Sequence, residues 1–440
     1  MYLKDITIKY ALLAVVVSLF FGILTSLLSE RISQKDPVFG YGSDSNIYWD
    51  LAGNLAKGRG FVNSPGFDFA YIKKTDQYTY GTQRLPGYPL ALAGVRYITQ
   101  TNNPNSLAVW LFNLILVFFN AYFIISLIKK LLPNIPNGWY WIVALFPPFL
   151  IYSNGINSDF FVAVLLSGFC YFILSSEKRT WLSLLFAGSA VFTRANAIFF
   201  IIPFLALSIF FSQERKKKFL MYFSGILLVI LIFCVWSFRN QKLSGSFTYV
   251  PFTGQQLEQN YIRKIYKYNR PSGEEKYFRW EQRNFVLPYF DQLVQRHGLY
   301  KAEVEMNSEI TKDTVSLLMQ KKITAVKIYS KNVAQMFTNE YFIFNLGRTL
   351  HHPFVWAGVW LMAVLLYFLP GILLLWLGAM SLWKRKVDFF AILTYSSIIY
   401  ILVTAAILGD FARYVLPIGF AIVMTVLYFL GIIRSILKRE

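Results

Sequence analysis

Ten apolar runs recur along this chain, near 10–28, 107–128, 139–153, 159–175, 181–193, 197–212, 219–237, 354–383, 388–408 and 414–433. They constrain the fold more than any other feature. A hydrocarbon layer about 30 Å thick takes about 20 mostly apolar residues to cross as a helix. Backbone amides cannot be left without partners inside it, so repeated runs of this length are crossed helically. The expectation is an all-α polytopic membrane protein with about ten transmembrane helices. Several runs are short, such as Trp181–Thr193, and Pro147-Pro148 should bend the third. With 56% hydrophobic and 15% charged residues, against about 25% charged in soluble domains, a soluble enzyme is excluded. The many separate runs equally exclude disorder, a coiled coil and a single-anchor protein.

The chain carries 43 Lys+Arg against 23 Asp+Glu, a formal charge of +20. In a membrane protein such an excess reports topology first, so nucleic acid is discounted as a partner. With the N-terminus cytoplasmic, the clusters Lys129-Lys130, Lys178-Arg179, Arg215 to Lys218, Lys384-Arg385-Lys386 and Lys438-Arg439 all fall on the cytoplasmic side. The opposite short connections hold only Arg194 and Arg413, so both termini are expected in the cytoplasm. The first run, Tyr10 to Leu28, is followed by Ser-Glu-Arg rather than a small-residue cleavage site, and reads as a retained crossing. Cys170 and Cys234 both lie in apolar runs, which implies neither a disulfide framework nor a zinc site.

This orientation divides the chain into an N-terminal transmembrane module (1–237), an extracytoplasmic loop with amphipathic helices (238–353) and C-terminal transmembrane helices (354–440). The module includes a first outer loop, 29–106, and the chemistry is expected in the two outer loops. In the second, 297–340 has helical spacing, with Leu317, Ile323, Ile328 and Met336 among its apolar positions, as in helices that lie on a membrane or cap a cavity.

In the first outer loop a helix is expected from Asp44 to Lys57, stopped by Gly58 and Gly60. Ile47, Tyr48, Leu51, Ala52 and Leu55 form one stripe. At 100 degrees per residue Asp44 projects onto its middle, while Asp50 lies roughly 130 degrees away and reads as a solvated residue. A carboxylate aimed into a membrane-facing crevice is costly unless capped, paired or used. Two roles fit: Asp44, or Ser43 beside it, caps the helix, or Asp44 is a catalytic base. Downstream, Arg84 precedes Pro86-Gly87-Tyr88-Pro89, which turn the chain sharply into a half-buried helix. Arg84 then sits at the outer boundary, either snorkelling or gripping a lipid phosphate. Tyr48 and Tyr88 flank the cleft and fit sugar stacking or an interfacial belt. His351-His352 lack a nearby third ligand and read as interfacial.

The order of an Asp-x-x-x-Tyr helix, Gly-x-Gly-Phe and Arg-x-Pro-Gly-Tyr-Pro resembles the GT-C glycosyltransferases related to protein O-mannosyltransferases and the lipid A aminoarabinose transferase. Ser158-Asp159 is similar to that family's Ser-Glu. Thr193-Arg194 before Pro203 is similar to its Thr-Arg-Pro, with Ala195 departing at the third position. Trp236-Ser237-Phe238-Arg239-Asn240 with Gly245-Ser246-Phe247 resembles its Trp-x-x-Arg-Asn and Gly-x-Phe signature. Gly409-Asp410-Phe411-Ala412-Arg413-Tyr414 with Pro417 resembles the Arg-Tyr-x-x-Pro that opens its last core crossing. The ordered set spans 44 to 417.

The resemblance implies a polyprenyl-phosphate sugar donor, an acceptor that is a lipid, a glycan or a protein, and a site on the outer face of the cytoplasmic membrane or in the ER lumen, of which the inner (cytoplasmic) membrane is the expectation. Asp44 corresponds to the family's first-loop acid and Arg84 to its donor-phosphate residue. Ser45 stands where members often carry a second acid, so no cofactor and no metal is expected. The expected reaction is inverting transfer, with Asp44 as general base and Arg84, Arg239, Arg413 and Arg194 about the leaving phosphate. Tyr48, Tyr88 and Asp159 line the substrate. The alternatives are a polysaccharide ligase or polymerase, and a lipid-linked sugar flippase or transporter.

Overall fold

A computed structural model describes residues 2–32, 43–65, 77–82, 84–104, 106–174, 179–211, 215–250, 256–257, 261, 264–265, 287–338, 369–383, 389–407 and 412–437. Lys178, His351-His352, Lys384-Arg385-Lys386, Asp388, Asp410 and Lys438-Arg439 lie outside these residues, as do residues 354–368 of the eighth run.

The described chain is mostly helical. In order come α1 (Tyr2–Ile32), α2 (Ser43–Ala56), β1 (Val62–Asn63), β2 (Thr79–Tyr80), α3 (Gly87–Thr99) and α4 (Leu107–Leu131). Next are α5 (Trp141–Ala144), α6 (Pro147–Tyr152), α7 (Ser158–Ile173), α8 (Thr180–Thr193), α9 (Ile198–Phe211) and α10 (Arg215–Ser244). The later helices are α11 (Leu287–His297), α12 (Leu299–Gln320), α13 (Lys322–Thr338), α14 (Leu369–Trp383), α15 (Phe389–Ile407) and α16 (Gly419–Leu437), with a 3-10 stretch at Ala412–Ile418. The two short strands pair antiparallel, Val62 opposite Tyr80 and Asn63 opposite Thr79, a small addition to an otherwise helical fold.

Five stretches among the described residues are long and apolar enough to cross a membrane: Ile6–Ile23, Leu107–Leu131, Phe219–Ser244, Phe389–Ile407 and Val415–Arg434. Shorter apolar helices cover Ser158–Ile173, Trp181–Thr193 and Ala195–Phe211. The architecture is that of a membrane-embedded helical protein. The third run departs from expectation, because 139–153 is not one bent helix. It is a 3-10 turn at Asn137–Tyr140 followed by α5 and α6, and α6 begins at Pro147. Proline at that position has no N–H for the preceding turn and its ring collides with it, so the helix restarts there.

The core is centred on α7, buried on nearly every side between α4, α8 and the 3-10 stretch, as an all-round apolar sequence allows. By contrast α10 leaves Leu220, Leu227, Leu231 and Val235 exposed, an apolar face suited to lipid. Residues 287–338 are helical: Gly298, at φ +78°, opens α12, and the chain re-forms as α13 after Lys321. Ile328 is fully buried, whereas Ile323 is exposed. Beside them α2 and α3 pack face to face, and α3 starts against the end of α8. A Cβ on Gly87 would lie 2.8 Å from the Phe192 carbonyl oxygen, so only glycine fits that contact.

Candidate active site

The helix expected over Asp44 to Lys57 is present as α2, and the stripe packs inward, with Leu51 and Ala52 fully buried and Tyr48 nearly so. It ends because Gly58 and Gly60 take φ of +72° and +84°, the left-handed region that glycine enters without steric cost. Asp44 stands in its first turn. Arg84, forty positions later, reaches it, and Nη2 donates to Asp44 Oδ1 at 2.5 Å. The pair is half-buried, with side-chain exposures of 15% for Arg84 and 27% for Asp44.

Asp50 is not a solvated face residue. The Gly58–Gly60 reversal brings Ser64 back over α2, and Asp50 accepts from the Ser64 backbone N–H at 2.7 Å and from its hydroxyl at 2.6 Å. Asn54 adds bonds to the Val62 carbonyl and the Ser64 hydroxyl. On the same side Arg96 donates to the Trp49 carbonyl and lies 4.3 Å from the Trp49 ring. Burial pulls the Arg96 guanidinium below its ordinary pKa, and the Asp50 carboxylate pulls it back up. This is a structural lock on the outward side of α2.

The inward side of α2 meets the start of α7. Ser45 donates to the Ile156 carbonyl at 2.9 Å, and Ser158 donates to the Tyr48 hydroxyl at 3.1 Å. The Tyr88 hydroxyl accepts the Asn157 N–H, and the Tyr48 and Tyr88 rings meet edge to face at 5.4 Å. Both tyrosines are thus inside the protein, joined to α7, rather than on the wall of a cleft. Asn157 caps α7 by accepting from the backbone N–H groups of Asp159 and Phe160. Arg194, from the end of α8, pairs with Asp159 at 3.0 Å and donates to Ser158 at 2.9 Å. Arg194 at 14% is about as exposed as Arg84, so the two pairs differ in their acids: Asp159 is buried at 2% where Asp44 is open at 27%.

Arg239, at the far end of α10, donates to the Gly81 carbonyl at 2.9 Å and to Asn240 Oδ1 at 2.8 Å. Its guanidinium lies 4.7 Å from the Trp236 ring, with the Phe61 and Tyr80 rings beyond. Buried Asn240 bonds the Thr248 and Tyr249 carbonyls, which turns the chain after Gly245 back onto α10. Arg239 is thereby fastened to the segment that leads into Arg84.

Of the four expected arginines, Arg84 and Arg239 meet one short segment, Arg194 is engaged with Asp159 behind α2, and the Arg413 side chain lies outside the described residues. Among the described residues no group of three or more His, Cys, Asp or Glu side chains is gathered where it could hold a metal. Residues that the motifs did not single out are Asn157, Thr82, Tyr300 and Glu303. Asn157 had a signal, an asparagine directly before the first residues of an apolar helix. Glu303 had none, since its partner Thr82 is 221 positions away. Burial also pushes the Tyr300 phenol above its ordinary pKa, with the Tyr80 backbone bond opposing. The chain matches no family model, no curated protein and no solved structure, and the functional reading rests on this geometry together with the motifs.

Proposed function

We propose that this protein is a membrane glycosyltransferase that moves a sugar from a polyprenyl-phosphate donor to a lipid, glycan or protein acceptor, with inversion at the anomeric carbon. The observation that carries the reading is the half-buried Asp44–Arg84 pair, in which the two groups the reaction asks for stand in direct contact. The donor phosphate competes with Asp44 for Arg84. Once the guanidinium turns to the phosphate, the Asp44 oxygen is able to accept a proton.

The acceptor hydroxyl gives its proton to Asp44 as its oxygen bonds to the anomeric carbon from the face opposite the phosphate. The bond from that carbon to the phosphate oxygen breaks, its electron pair leaves with the phosphate, and polyprenyl phosphate is released. General-base action of this kind contributes about 10² to 10⁴ in rate. A preorganised cation opposite the departing charge contributes about 3 to 4 kcal/mol in a site of low dielectric. Arg84 fills that role, with Arg239 behind it on the same segment and Arg413 as a further candidate. A metal-independent reaction belongs to the same proposal, because Ser45 rather than a second acid follows Asp44.

The ten-crossing topology belongs to the same proposal, with cytoplasmic termini and the site on the outer face of the inner membrane. The one-sided basic clusters support it.

The test is transfer of labelled sugar from polyprenyl-phosphate donors to membrane lipid and glycan by the reconstituted protein. Asp44→Asn abolishes transfer, Asp50→Asn retains it, and EDTA leaves it unchanged. Normal transfer by Asp44→Asn would make Asp44 a helix cap and sink the assignment. If the wild type consumes no donor, the ligase and flippase alternatives move ahead.

A further inference from the structure

The segment from Tyr80 to Thr82 ends two residues before Arg84 in sequence, and three elements grip it. Arg239, from α10, donates to the Gly81 carbonyl at 2.9 Å. From α12, the Tyr300 hydroxyl accepts the Tyr80 backbone N–H at 2.6 Å, and Glu303 accepts from the Thr82 hydroxyl at 2.8 Å. The third grip is packing from α2 and the turn after it: a Cβ on Gly81 would lie 2.7 Å from the Phe61 ring and 2.9 Å from Leu51.

The two α12 grips are in register. Tyr300 and Glu303 are three residues apart on one helix face, and Tyr80 and Thr82 are two apart, one repeat of an extended chain. Ring contact between Tyr80 and Tyr300 at 5.7 Å reinforces the first, and Glu303, at 4% exposure, makes the second away from water. Inside a protein such bonds hold geometry more tightly than the same bonds in water. Arg84 follows two residues after Thr82, which ties its backbone to whatever holds that segment.

We infer that Tyr300 and Glu303 are positioning residues for Arg84, which makes the loop 238–353 part of the donor-phosphate site rather than a separate cover. The inference rests on reading Arg84 as the partner of the phosphate, but the positioning itself is measurable with no donor present. Glu303 acts as a hydrogen-bond acceptor from Thr82, a role that a glutamine carbonyl can fill.

The test is a double-mutant cycle for the Asp44–Arg84 contact, read from thermal unfolding of the full chain in detergent with Asp44→Asn, Arg84→Gln and both together. The same cycle is run in Glu303→Ala and Glu303→Gln backgrounds. Coupling falls by at least about half in Glu303→Ala and is retained in Glu303→Gln. Binding of a polyprenyl phosphate, measured alongside, weakens about tenfold in Glu303→Ala and changes less than about twofold in Glu303→Gln. If Glu303→Ala does not fold, Thr82→Val removes the other partner and is read in the same way.

Unchanged coupling in the alanine variant, however far its midpoint falls, reduces Glu303 to a stabilising contact and overturns the inference. An absence of coupling in the wild type overturns it as well. If the wild type binds no polyprenyl phosphate while coupling still falls in Glu303→Ala, the donor reading fails and the positioning stands.

Discussion

The protein contains two acid–arginine pairs beside the same helix, and they are built for different ends. Asp44–Arg84 joins two parts of one loop and is open, with 27% and 15% of its side chains exposed. Asp159–Arg194 joins the start of α7 to the end of α8, and its acid is 2% exposed. Because Asp44 keeps contact with water, exchanging its partner for a substrate group leaves no fully buried charge behind. Removing one member of a buried pair leaves a charge without compensation and costs about 3–5 kcal/mol. The open pair is therefore suited to chemistry and the buried pair to architecture. Tyr48 and Ser158 connect the two, because the Ser158 hydroxyl accepts from Arg194 while donating to Tyr48.

The largest expected effect separates the pairs directly. Asp44→Asn lowers transfer per folded molecule by about 10² to 10⁴, with little change in thermal midpoint. Asp159→Asn lowers stability by about 3–5 kcal/mol, and the molecules that remain folded transfer within a few-fold of wild type. Transfer assays normalised to folded protein, with melting curves, check both. A stable but inactive Asp159→Asn would exchange the two roles.

Charge reversal sharpens the comparison. Asp44→Arg combined with Arg84→Asp keeps an ion pair in the half-exposed position, and its melting midpoint recovers relative to either single change while transfer stays lost. Asp159→Arg with Arg194→Asp finds no such recovery, because Ser158 and the capped end of α7 are arranged around the native polarity. Yields of folded protein in detergent read the difference.

Smaller effects are expected from the links around the pairs. Tyr48→Phe removes the acceptor for the Ser158 hydroxyl and costs about 1 kcal/mol of stability. Gly58→Ala, on the far end of α2, forces a side chain into positive φ at a comparable cost of about 1 kcal/mol. Melting curves of the two variants check these costs. A larger drop in transfer for Tyr48→Phe than for Gly58→Ala would show that the connection to α7 also sets the place of Asp44.

The extent of α2 was legible because a helix start, a 3.6-residue stripe and two terminating glycines are each local signals. Asp44 and Arg84 were each legible as candidates, one from its place on the wheel and the other from the proline pair after it. Their contact was not, since nothing local ties positions forty residues apart. Asp50 shows the limit most clearly. The wheel places it on the outward side, but only the chain reversal at Gly58 and Gly60 returns Ser64 to occupy that side. Tyr48 and Tyr88 were legible as aromatic groups near the site, yet their burial depends on the start of α7 arriving against α2.

By itself the sequence determined what neighbouring residues can decide. That includes a mostly helical, apolar chain suited to a membrane, where α2 starts and stops, and that a run containing Pro147-Pro148 cannot stay a straight helix. These follow from hydrophobicity and backbone sterics, which act over a few residues. The tertiary structure decided which acid meets which arginine, which of the two pairs is open, and that α12 of the second long loop holds the segment leading to Arg84. Those outcomes depend on contacts between residues up to 221 positions apart. Such contacts form only where separate helices pack, and no local pattern records them.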